Sequence, residues 1–116
     1  MLVQNILTMF HSRLTAFPDL TTTSILEYVR VGQDFNITCS WQKEIDLLKI
    51  DNLEWIKNGR SIDLSPSSRY TKIAFDRLLV TNSTVKQSGR YQCEGNIGLV
   101  SKLSSFVDIT VFGRYI

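Results

Sequence analysis

The chain has 116 residues, 43% apolar and 21% charged, with a net charge of +2. That is one domain's worth of ordinary globular sequence, neither disordered nor low in complexity. Two cysteines exclude a cysteine-dense mini-scaffold, the small net charge supplies no basic stripe for nucleic acid, and no apolar run approaches the ~20 residues of a membrane-spanning helix.

The first ten residues, MLVQNILTMF, are moderately apolar, but Gln4, Asn5 and Thr8 interrupt them and no basic residue precedes Arg13. They match a secretory leader poorly and read as an extended first strand or as the start of a piece cut from a longer chain. Residues 15–24 (TAFPDLTTTS) read as a polar, turn-rich connection, with Pro18 unable to donate into a sheet ladder. From Ile25 onward the apolar period is two, which predicts strands. Phe35, Ile37 and Cys39 alternate with Asn36 and Thr38. Leu53, Trp55 and Lys57 share one face, with Glu54 and Ile56 on the other. Leu78 pairs with Val80, Tyr91 with Cys93, and Val107 and Ile109 with Val111, the last run opposing Phe106, Asp108 and Thr110. Turn signals at 31–34, Asn58-Gly59, Ser65-Pro66, Ser88-Gly89 and Asn96-Ile97-Gly98 separate these runs. Six or more short alternating strands predict an all-β, antiparallel sandwich. Residues 42–53 (QKEIDLLKIDNL) break the alternation and read as a long connection capping the core, with a short amphipathic helix as the alternative.

Both cysteines fall on inward faces, so a bond between the two sheets is geometrically reasonable, as are two buried thiols. They lie 54 positions apart, with Trp55 on an inward face between them and Tyr91 two positions before the second. In this arrangement the chain resembles the immunoglobulin superfamily, and its I-set modules in particular. Gly32-x-x-Phe35-x-Ile37-x-Cys39 is similar to the family's strand B, Trp55-Ile56-Lys57-Asn58-Gly59 to strand C and the turn after it, and Leu78-x-Val80 to strand E. Gly89-x-Tyr91-x-Cys93 is similar to the start of strand F, and Asn96 and Gly98 to the F–G hairpin.

The resemblance implies an N-terminal segment, 1–24, followed by an immunoglobulin-like Greek-key domain over 25–116. It also implies a Cys39–Cys93 inter-sheet disulfide, a core built on Trp55, Tyr91, Leu78 and Val80, and a tyrosine corner at Tyr91. Two departures stand out. Gln87 occupies the position where the family usually places an acid, so the usual salt bridge to a strand-D arginine is not available to Arg69; a hydrogen bond from Arg69 to Gln87 is the expected substitute. The Cys39-to-Trp55 interval is also longer than expected, and the excess falls in 42–53.

Closing a loop of about 55 residues removes roughly 4 kcal/mol of unfolded-state entropy, which implies an oxidising compartment. Two N-x-[S/T] sequons, Asn36-Ile37-Thr38 and Asn82-Ser83-Thr84, are candidate glycosylation sites and point the same way. An extracellular location, secreted or on a cell-surface ectodomain, is therefore expected. Catalysis is not: His11 lies outside the strand-rich region with no placed partner, no Gly-rich phosphate loop is present, and no cofactor or metal is implied. The resemblance implies instead a protein-binding module of an adhesion or receptor chain, its partner another protein, such as a second immunoglobulin-like domain. The alternatives are an intracellular structural spacer of the muscle-filament kind and a secreted binder of a peptide hormone or growth factor. Relatives often bind through the outer face of the sheet holding strands C, F and G. Alternation gives that face Glu54, Ile56, Arg90, Gln92, Glu94 and Phe106, an apolar anchor with a charged rim. Leu47, Leu48 and Ile50 form a second candidate.

Overall fold

A computed structural model describes residues 20–41, 52–97 and 99–114. The readings made for Met1–Phe10, His11 and the Leu47, Leu48 and Ile50 tip lie outside these residues. The described chain forms ten strands: β1 (Leu20–Thr23), β2 (Tyr28–Arg30), β3 (Phe35–Trp41), β4 (Asn52–Lys57), β5 (Arg60–Ser61), β6 (Tyr70–Ala74), β7 (Arg77–Val80), β8 (Gly89–Ile97), β9 (Val100–Leu103) and β10 (Val107–Phe112). One sheet has the order β1-β3-β7-β6; the other runs β2-β10-β8-β4-β5, with β9 also paired to β8. The two sheets close on each other as a sandwich.

The period-two pattern explains the packing. Phe35, Ile37, Cys39, Leu78 and Val80 point inward from one sheet, and Val29, Leu53, Trp55, Tyr91, Cys93, Ile109 and Val111 from the other; all are buried. Successive side chains of a strand point to opposite faces, so each inward residue sets its neighbours outward.

Three local readings are corrected. Leu20–Thr23, expected within a polar connection, is a strand paired antiparallel with β3, Thr22 opposite Cys39. Its alternation is present but short: Leu20 and Thr22 are buried while Thr21 and Thr23 are exposed, and the branched threonines suit a pleated edge. Asn52, assigned to the 42–53 connection, begins β4 instead, directly before Leu53, which the alternation already placed on that strand. The sandwich is also not wholly antiparallel, because β2 runs parallel to β10, Val29 beside Val111. The chain makes this pair by leaving one sheet after Thr23 and entering the other at Tyr28.

Candidate functional site

The two halves of the sandwich are joined by a Cys39–Cys93 disulfide, with an S–S distance of 2.06 Å and a Cα–Cα distance of 6.2 Å. Trp55 lies directly opposite Cys93 across β4 and β8 and is buried. Its indole nitrogen has no hydrogen-bond partner among the described residues. Thr22 donates its hydroxyl toward Cys93 Sγ at 3.4 Å and shares a 2.7 Å hydrogen bond with Ser104. Ser104 Oγ accepts the Cys93 backbone N–H at 2.9 Å. A small buried hydroxyl pair thus ties β1 to the disulfide.

Tyr91 makes the corner before Cys93. Its ring meets Phe35 edge-on at 6.2 Å between centroids. Its hydroxyl donates to the Gln87 carbonyl and shares a 3.2 Å hydrogen bond with Tyr70. Burial, then the Tyr70 hydrogen bond, push its pKa far above that of an ordinary phenol. The Arg69–Gln87 hydrogen bond expected from sequence is not what the side chains make. Gln87 Oε1 accepts from both the Thr84 backbone N–H and the Thr84 hydroxyl, each at 2.7 Å. This closes a capping box on the 3-10 turn Val85–Gln87. Arg69 donates instead to the Asn82 carbonyl. The turn recruits Gln87 because it stands three residues after Thr84, the position from which a Gln side chain is long enough to reach back to the N-cap backbone.

The outer face of the six-stranded sheet gathers the residues expected to bind a partner. Arg90 on β8 stands opposite Asp108 on β10 and forms an ion pair with it at 3.0 Å. The same guanidinium lies 3.7 Å from the centroid of the Phe106 ring, well within cation–π range. Phe106 sits just before β10, in the break between β9 and β10, and is 48% exposed. Ile56 lies opposite Gln92, and Glu54 opposite Glu94. Gln92 donates to the Ser104 carbonyl at 3.0 Å. Arg90, Gln92 and Phe106 are thus brought together around Asp108 and Ser104, while Glu54 and Glu94 form a separate acidic step.

Sequence reasoning missed the other side of this face. Tyr28 and Arg30 on β2 share the outward side with Thr110 and Phe112, their partners across the parallel ladder. Tyr28 is 72% exposed, and Arg30 lies 6.0 Å from the Phe112 centroid. Extending the alternation of Phe106 and Asp108 by two steps would have reached Phe112; Tyr28 and Arg30 depend on a strand pairing that no local pattern carries.

The two sequons occupy different settings. Asn36 is exposed on the outer side of β3, opposite Leu79. Asn82 is exposed in the turn after β7, in the left-handed region at φ 48°, its N–H donating to Asp34 Oδ1 at 2.7 Å. No helix among the described residues is long and apolar enough to cross a membrane.

The inter-sheet disulfide with its packed tryptophan, the tyrosine corner and the strand order define an immunoglobulin sandwich. The family model for the immunoglobulin domain matches residues 17–111, and the chain belongs to that family. No curated protein matches significantly. Among solved structures it is similar to the tandem Ig repeats of Dlar, at 26% identity and a TM-score of 0.67, covering 84% of this chain and 49% of that one. It is similar in fold to murine CEACAM1b, at 22% identity and a TM-score of 0.65, covering 82% of this chain and 44% of that one. A third similar structure, mouse coronavirus receptor-binding domain complexed with its murine receptor, gives 18% identity and a TM-score of 0.68, over 81% of this chain and 44% of that one. The chain spans about half the length of each of these structures or less.

Proposed function

We propose that this is a non-enzymatic, I-set-like protein-binding module of a cell-surface or secreted adhesion or receptor protein, contacting its partner through the outer face of the six-stranded sheet. The observation that carries the reading is the stack of Arg90 on Phe106, with the same guanidinium paired to Asp108. An aromatic ring stacked on a guanidinium that is itself paired is a partly pre-ordered anchor. Aromatic residues and arginine are the side chains that dominate binding hot spots, and little side-chain freedom is lost when such an anchor is covered. Tyr28, Phe112, Ile56 and Leu103 extend the apolar part of this face, and Glu54, Glu94 and Arg30 supply its charged rim. One similar structure is a receptor-binding domain complexed with its murine receptor, which supports a protein as partner.

The extracellular assignment is supported by the Cys39–Cys93 bond and by the exposure of both Asn36 and Asn82, which we assign as glycosylation sites. Mass spectrometry of native protein without reductant tests it. The expected polypeptide mass lies two hydrogen atoms below that of the dithiol, with glycan at the sequons; free thiols and bare asparagines would favour the intracellular spacer. For the binding face, Phe106→Asp and Ile56→Lys are combined and used beside wild type to retrieve partners from cell-surface extracts. The expected outcome is a variant with an unchanged melting curve that loses the wild-type partners. A folded variant that keeps every one of them overturns the sheet-face reading.

A further inference from the structure

We propose that the cleft beside Asn36 seats the first N-acetylglucosamine of an N-linked glycan, so that modification at this asparagine braces the place where the chain changes sheets. The proposal rests on the secretory reading above and adds a binding role for the groove. In the modification the Asn36 carboxamide nitrogen bonds to C1 of the sugar as that carbon parts from a lipid-linked diphosphate donor. The amide proton passes to the transferring enzyme.

The cleft has a topological cause. β1 ends at Thr23, opposite Thr38. Two more residues of the same ladder would put Ile25 opposite Asn36 and close the edge of β3. The chain instead bends at Ser24–Leu26 and crosses to pair with β10. The bend is pinned by Ser24, whose hydroxyl contacts the carbonyls of Leu26 at 2.6 Å and Asn36 at 3.1 Å. The edge left open is a cleft of about 480 Å³ bordered by Ser24, Ile25, Leu26, Asp34, Asn36 and Arg77, within the ~300–1,000 Å³ range of ligand-sized clefts.

Its chemistry matches a sugar attached at its rim. Ile25 is 100% exposed, an apolar surface with nothing against it in the described chain and suited to the C–H face of a pyranose. Arg77 offers donors for the N-acetyl carbonyl. Asp34, already accepting the Asn82 N–H through Oδ1, offers a carboxylate to sugar hydroxyls. Because Asn36 is itself a wall of the cleft, the first sugar enters at high effective concentration, and a weak contact suffices to order it. Asn82 does not border this cleft, so the bracing is assigned to Asn36.

The test uses the full chain secreted from mammalian cells behind a cleavable leader, in an Asn82→Gln background. Peptide mapping is expected to find sugar on Asn36. Endoglycosidase trimming to a single N-acetylglucosamine keeps the proposed contact and removes the rest of the glycan. The trimmed protein is expected to melt roughly 2–4 °C above the Asn36→Gln form. Ile25→Lys is expected to abolish that gain while leaving the melting of the unglycosylated protein unchanged. A gain below about 2 °C, or one undiminished by Ile25→Lys, overturns the cleft and leaves the secretory reading standing. Absence of sugar from Asn36 in the secreted chain overturns the Asn36 assignment together with the cleft.

Discussion

Asn58 occupies the space that a side chain on Gly89 would need. A Cβ built on Gly89 would stand 2.9 Å from Asn58 Oδ1 and 2.9 Å from Lys57 Cε. The carboxamide is held there because its oxygen accepts the Arg90 N–H at 2.9 Å, while the Asn58 N–H donates to the Arg90 carbonyl at 2.8 Å. Asn58 and Gly59 both have positive φ, at 51° and 79°, the conformation of a type I′ hairpin turn. The turn between β4 and β5 therefore reaches sideways to lock the start of β8. Gly89→Ala is expected to cost about 1–3 kcal/mol by overpacking, read from the urea midpoint. Asn58→Gly, which keeps the turn conformation, is expected to recover part of that loss when combined with it.

Tyr91→Phe removes the hydroxyl that satisfies the Gln87 carbonyl, and is expected to cost about 1–3 kcal/mol because the acceptor is left buried and unpaired. Tyr70→Phe should cost less, since the Gln87 bond survives. Equilibrium unfolding of the two single variants checks the order.

The same hydroxyl gives a pH dependence. Burial raises the pKa of Tyr91 in the folded state, whereas the unfolded phenol titrates near pH ~10. Above that value the unfolded chain binds fewer protons than the folded one, so stability falls as pH rises. The slope from this one group is about 1.4 kcal/mol per pH unit. Below pH ~10 the contribution is constant. Urea titrations at stepped alkaline pH should show wild type losing stability faster than Tyr91→Phe.

Reduction of Cys39–Cys93 is expected to remove about 4 kcal/mol. That is a large part of a typical domain stability of ~5–15 kcal/mol, so melting with and without a phosphine reductant should differ sharply. Thr22→Val, which keeps the shape of Thr22 and deletes its bonds to Cys93 and Ser104, is expected to cost about 0.5–1.5 kcal/mol. It should also speed reduction by loosening β1 over the sulfur.

The inward half of this fold was legible because burial writes itself into a strand with period two. Phe35, Ile37 and Cys39, or Val107, Ile109 and Val111, need no partner to be read. β1 escaped because four residues hold only two inward positions, one of them a threonine whose burial depends on Ser104, far away in the chain. The role of Gln87 escaped for the opposite reason: family resemblance drew attention to Arg69, while the nearer Thr84 satisfied it. On the binding face, Phe106 and Arg90 were legible as outward residues. Their stacking was not, since the break between β9 and β10 that tips Phe106 over Arg90 leaves no mark in the alternation.

The exchange at position 87 has a consequence for where such a module can work. A carboxylate holding this corner would take up a proton on acidification and release its donors. The carboxamide of Gln87 has no proton to gain, and its bonds to Thr84 are made without charge. The bonds that close the turn anchoring Tyr91 therefore contain no group that gains a proton between neutral and mildly acidic pH.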